Sequence, residues 1–142
     1  MGIINMIETI KKIHPEEVVL VKVGTFYTAY GKDAYIINYI FGYKLTIMQQ
    51  VDVASFPIAS LNKVMAILEQ NKVNYIVVDK RNNYDVEEKS EKDGINNYNK
   101  ILKKAKVEIN YNKRIEEIVK VLKENKEILV EVEKIIYERR KI

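Results

Sequence analysis

The chain has no cysteine and no tryptophan, and only one histidine, two prolines and five glycines among its 142 residues. Without cysteine there is no thiol nucleophile, no Cys-ligated zinc, no iron–sulfur cluster and no disulfide framework, and the composition fits a reducing compartment. Ser-His-Asp catalysis and most zinc sites use one to three histidines, so any such chemistry would have to run through His14 alone. No run approaches the ~20 apolar residues of a membrane span. Residues 1–13 are interrupted by Glu8, Lys11 and Lys12, and no small-residue cleavage site follows them, so they do not read as a secretory signal. The expected location is cytoplasmic, with no cofactor and no metal.

A strong charge of one sign is also missing. The net charge is +4, spread as 8 basic against 7 acidic groups in residues 1–80, 7 against 6 in 81–112, and 9 against 7 in 113–142. No segment is a basic arm, so charge permits nucleic-acid binding without arguing for it. What is present is an ordinary globular composition, 47% hydrophobic and 31% charged, in a chain long enough to build a core without staples.

Ile3, Ile7, Ile10 and Ile13 recur at helical spacing and predict a short helix that stops before His14-Pro15. His14 reads as a helix-end residue, and the Glu16-Glu17 pair as facing water. Val18 to Val23 reads as a buried strand, Gly24 as a turn, and Phe26 to Tyr30 as the second arm of a hairpin ended by Gly31. From Lys32 the period changes to 3.6, with Gly42 placed as a helix stop. Residues 44–49 and 51–56 read as further strands, Ser60 as the cap of a helix facing inward through Leu61, Val64, Met65 and Leu68, and Tyr75 to Val78 as another buried strand. The order β-β-α-β-β-α-β predicts an α/β (α+β) fold, a mixed β-sheet flanked by helices.

After Asp79 the pattern weakens. Residues 80–94 are polar and without period, which reads as a surface loop, and Ile95, Tyr98, Leu102 and Ala105 read as a short helix. In residues 113–142, Ile115, Leu122, Leu129 and Ile136 fall at one heptad position and Ile118, Asn125, Val132 and Arg139 at another. A long helix, or two joined near Asn125, is expected there, either folded back on the sheet or contacting another chain. The expected domains are an α/β domain over 1–110 and a C-terminal helical extension over 111–142.

The segment that departs most from generic patterning is Gly24-Thr-Phe-Tyr-Thr-Ala-Tyr-Gly-Lys-Asp-Ala34, which sets three aromatics between two glycines. In an extended strand Phe26, Thr28 and Tyr30 share one face. An apolar ring beside a short hydrogen-bonding side chain suits insertion between stacked bases, although strand aromatics more commonly serve a core. This run resembles the G-x-F-Y-E-x-(F/Y)-x-x-D-A signature of the N-terminal, mismatch-recognising domain (domain I) of the MutS DNA mismatch repair family. The order of landmarks is similar too: His14-Pro15, Gly42-Tyr-Lys-Leu-Thr46, Phe56-Pro57-Ile-Ala59 and a final strand at 73–78. The match covers about residues 14–79.

That resemblance implies a mixed sheet flanked by helices and a Phe-x-Glu motif that enters the minor groove at a mispair. The Phe stacks on a mismatched base while the Glu hydrogen-bonds to it. Phe26 takes the position of the Phe, and Thr28 stands where the Glu would be. A neutral hydroxyl offers a bond about half as strong as a charged one. The connector, core, clamp and ATPase domains of a complete MutS protein have no counterpart here. Nor is there a phosphate-binding loop, since Phe26 stands where such a loop ending at Gly31-Lys32 would need its first glycine. The expected function is therefore a non-enzymatic, stand-alone DNA-binding module, with mismatched duplex as the implied ligand. The alternative is an assembly module that keeps the scaffold without mismatch recognition and joins itself or a partner through the C-terminal helix. A third reading, a metal nuclease using Asp79, Glu87 and Lys89 in the order Asp…Glu-x-Lys, is disfavoured because Glu87 and Lys89 fall in the stretch read as a loop.

Overall fold

A computed structural model of the chain describes residues 2–92 and 94–141. They separate into two units, Met1–Lys106 and Val107–Ile142. The first contains α1 (Ile3–Ile13), β1 (Val18–Val23), β2 (Phe26–Tyr30), α2 (Lys32–Phe41), β3 (Leu45–Met48), β4 (Val51–Pro57), α3 (Leu61–Gln70), β5 (Tyr75–Asp79) and β6 (Asp85–Lys89). Helix α4 (Tyr98–Glu124) begins in this unit, and α5 (Lys126–Arg140) lies in the second.

The six strands form one mixed sheet in the order β3-β4-β2-β1-β5-β6. Only β1 and β5 run parallel, and every other neighbouring pair is antiparallel. The apolar run of β1 puts Val18 and Leu20 on one face and Val19 and Val21 on the other, so the sheet needs cover on both sides. Residues of α2, α3 and the start of α4 supply the first core: Ile36, Ile37, Val64, Leu68, Tyr98 and Leu102 close over Val18, Leu20, Tyr27 and Phe56. Helix α1 supplies the second, with Ile7 fully packed over Val19, Tyr30, Val53 and Ile76. This is the α+β sheet with flanking helices expected from the element order.

Gly42 ends α2 at φ 77°, and its N–H donates to the Asn38 carbonyl, a left-handed stop that a residue with a Cβ adopts only at a cost. Ser60 does not cap α3 with its side chain. A 3-10 turn at Ile58–Ser60 leads into the helix, so Ser60 is already close to helical (φ −89°, ψ −4°) and its hydroxyl makes no cap bond.

Residues 80–94 are not simply a loop. A 3-10 turn (Lys80–Asn82) and two left-handed residues, Asn83 and Tyr84, reverse the chain into β6, which pairs antiparallel with β5 through a bulge at Val77/Val78. All five residues of β6 are exposed, so it lacks the alternation that marks a half-buried strand. It is held by ladder hydrogen bonds, and its charges guard the sheet edge. The short helix expected at 95–105 is instead the first part of α4, which runs unbroken to Glu124 because neither glycine nor proline intervenes. The interruption near Asn125 is real: its φ −133° and ψ 85° separate α4 from α5.

Glu17 does not face water either. It is buried, and its Oε1 lies 3.0 Å from His14 Nδ1 and 3.1 Å from Lys92 Nζ. Among the described residues no helix is long and apolar enough to cross a membrane.

Candidate nucleic-acid interface

Gly24, at φ 62°, closes the tight turn between β1 and β2. Its backbone conformation sets where β2 begins, and β2 begins with Phe26. Of the five residues of β2 only Phe26 is exposed, at 49%, while Tyr27 to Tyr30 are buried. The reason is the extent of cover on its face. Phe26, Thr28 and Tyr30 point to the side packed by α1, but that packing reaches Tyr30 and Val53 and does not include Phe26. Tyr27, on the opposite face, stacks on Phe56 with ring centroids 5.8 Å apart.

Thr28 is 8% exposed, and its Oγ1 lies 2.8 Å from Ser55 Oγ, directly across the strand pair. Ser55 itself is exposed. Thus Phe26 and Thr28 share a face, with the ring open to solvent and the threonine hydroxyl already engaged. Ser55 escaped the sequence reading because only the register of β2 on β4, a non-local pairing, brings it to this place.

The register also fixes which residues gather at this end of the sheet. Phe26 pairs with Val23 and with Pro57, and Lys22 with Asp79, so the turn Lys80–Asn82 lies at the same end. Lys80 and Arg81 are exposed there. The Asp79 side chain accepts a hydrogen bond from the Arg81 N–H at 2.8 Å, which fastens the turn that carries both cations. These two residues lay in the stretch read as a loop, and no periodicity marks them.

Asp33 and Ala34 of the signature run are structural. Asp33 is fully buried and accepts hydrogen bonds from Lys11 Nζ (3.0 Å), Tyr98 Oη (2.6 Å) and the Val19 N–H (3.0 Å). Burial raises its carboxyl above the ordinary range, and Lys11, Tyr98 and Val19 pull against that shift. The Tyr98 hydroxyl is raised in turn by burial and by the Asp33 charge beside it. One cluster therefore ties α1, β1, α2 and α4 together.

Asp79, Glu87 and Lys89 do lie on paired strands rather than in a loop, yet Glu87 falls at the bulge and Asp79 is committed to the turn. Among the described residues there is no group of three or more His, Cys, Asp or Glu able to hold a metal ion.

A mixed six-stranded sheet flanked by helices, with an exposed aromatic at the β1–β2 corner, defines an α+β domain. The family profile of MutS domain I matches residues 1–110, and the chain belongs to that family. No curated protein matches the sequence.

Proposed function

We propose that the Met1–Lys106 unit binds duplex DNA without catalysis, inserting the Phe26 ring at a weakened base step while Lys80 and Arg81 contact phosphates. Domain I of the MutS family is a DNA-binding domain and not a catalytic one, which supports DNA as the partner. The observation that carries the reading is the exposure of Phe26 at the free end of a strand whose other residues are all buried. About half of the Phe26 surface is left uncovered by the fold, and unstacking a base step costs a few kcal/mol that a ring can repay by stacking in its place. That cost is lowest where a mispair or an unpaired base has already loosened the stack. Mispaired and bulged duplexes are therefore the expected ligands.

Thr28 supplies no charged contact to a base edge. The Thr28–Ser55 hydroxyl pair gives a neutral polar rim beside the ring, open to solvent through Ser55. Discrimination among mispairs is accordingly expected to be weak, because it follows ease of unstacking more than base identity.

The test is equilibrium binding of wild type and Phe26→Ala to perfect, mispaired and single-base-bulge duplexes. Wild type should favour the mispaired and bulged duplexes, and Phe26→Ala should lose that preference. Equal, negligible binding by both proteins removes the DNA role. Equal, firm binding by both removes the ring from it.

A further inference from the structure

We infer that the first turns of α4 form a second, sequence-independent DNA contact, in which Lys100, Lys103, Lys104 and Lys106 lie against the phosphates of a duplex. This deepens the DNA reading and rests on it for the nature of the polyanion, but it uses none of the residues at the Phe26 corner. From Tyr98 to Lys106 the sequence holds four lysines and no acidic residue. Counted over residues 81–112 the concentration vanishes, because five of the six acids of that span fall at 85–93, ahead of the helix. Packing then sorts the helix by side. Tyr98, Ile101 and Leu102 enter the core beside α2 and α3, and Ala105 is fully buried, so the lysines turn outward, where all four are exposed. Among the described residues none of the four is held in an ion pair. Nor do nearby acids oppose them freely: Glu16 accepts a hydrogen bond from the Asn99 side-chain amide, and Asp33 is buried beneath Tyr98.

The chemistry of this face selects its occupant. Over Tyr98–Lys106 the exposed side chains are Asn99 and the four lysines, and every apolar one is already spent on the fold. A helix that lies in a membrane interface needs a free apolar face, and this stretch has none. A specific protein interface is centred on buried apolar or aromatic anchors, which are equally absent here. What remains is an array of mobile point charges on a helix, with Lys100 and Lys104 about 6 Å apart along its axis. Lysine presents no planar fork to a base edge, so such an array reads charge and not sequence. A duplex, with one negative charge per ~1.7 Å of its axis, offers phosphates to each of these side chains.

The test is binding of the full chain to a short perfect duplex over a series of salt concentrations. Lys100→Gln/Lys103→Gln/Lys104→Gln should lower the slope of log K against log salt by about 2–3 and weaken binding at low salt by at least about tenfold. The matching arginine variant, which keeps the charge, should bind as wild type does. Lys12→Gln/Lys63→Gln/Lys134→Gln removes the same charge from other exposed positions and should change the slope far less. Equal losses in the two glutamine variants overturn the proposal, since net charge alone would then be at work. Duplex binding that is unchanged in the α4 variant also overturns it, in favour of a membrane if binding to phosphatidylserine vesicles falls instead. The two readings fail separately. A wild type without preference for mispaired DNA whose slope still depends on the α4 lysines loses the ring and keeps this contact. An α4 variant with the wild-type slope and an intact preference loses this contact and keeps the ring, and a wild type that binds no duplex loses both.

Discussion

Thr28 and Ser55 face each other across β2 and β4 with their hydroxyl oxygens 2.8 Å apart, one buried and one exposed. Thr28 is the position where the resemblance to the family signature would put a glutamate, and its side chain is buried. Because Ser55 can return its hydroxyl to water, losing the bond should be cheap. Thr28→Val keeps the β-branched shape, and we expect it to cost about 1 kcal/mol in denaturant unfolding. Its affinity for a bulged duplex should stay within about twofold of wild type. A loss as large as that of Phe26→Ala would show that the hydroxyl, and not the ring alone, makes the contact.

The turn that delivers Phe26 depends on Gly24. At φ 62° a Cβ would meet nothing within 4 Å, so substitution is penalised by backbone strain alone. Gly24→Ala should therefore lose about 1–2 kcal/mol of stability, and Gly24→Asn less, because asparagine tolerates the left-handed region better. Chemical denaturation of the three proteins checks the order. An alanine variant as stable as wild type would mean that the turn relaxes to another form, and the corner that presents the ring would move with it.

Lys80 and Arg81 are expected to act through phosphates rather than bases. Arg81→Ala should weaken binding to perfect and mispaired duplexes by the same factor and lower the slope of log K against log salt by about 1. An effect confined to mispaired DNA would instead place Arg81 at a base edge.

Asp33 is the residue whose loss the fold should tolerate least. Three donors converge on its carboxylate, and removing it leaves the Tyr98 hydroxyl and the Val19 N–H without that acceptor in the core and Lys11 Nζ with only the Glu17 carbonyl and the Tyr98 oxygen. Asp33→Ala should cost about 3–5 kcal/mol, the range for breaking a buried ion pair from one side. Tyr98→Phe, which removes one donor and keeps the ring, should cost about 1–2 kcal/mol. The double variant should lose less than the two losses added together, since they share one bond. Urea unfolding of the three variants decides it, and strict additivity would dissolve the cluster.

Sequence reading reaches as far as local rules do and stops where pairing over distance begins. The elements from α1 to β5 were legible because each satisfies a local rule: four isoleucines at helical spacing, an apolar run ended by Gly24, a left-handed stop at Gly42. The aromatic corner stood out for the same reason, as a local oddity between two glycines. What escaped depends on pairing over distance. β6 has no buried face to imprint a period, so Asp85 to Lys89 reads as a charged loop until β5 lies beside it. Ser55, Lys80 and Arg81 reach the Phe26 end only through strand register. Glu17 looks like one of two solvated glutamates until His14 and Lys92, the latter 75 residues further on, close around it.

Glu17 gives the fold a specific sensitivity to acid. Burial raises its carboxyl, but hydrogen bonds and charge from His14 and Lys92 outweigh that and hold it below its ordinary value of 4.5. A carboxyl that ionises more readily in the folded than in the unfolded chain contributes stability at pH values above its unfolded value. It surrenders that contribution as the pH falls through the lower, folded value. Glu17→Gln should therefore be less stable than wild type near neutrality, by about 1 kcal/mol. The two unfolding free energies should converge as the pH is lowered below the range in which wild-type Glu17 titrates. Carboxyl titration followed by NMR gives a second, independent readout: Lys92→Met should move the Glu17 midpoint upward, towards 4.5. A gap between wild type and Glu17→Gln that stays constant from neutral to strongly acidic pH would mean that packing of the side chain, rather than its charge, holds the corner between α1 and β1.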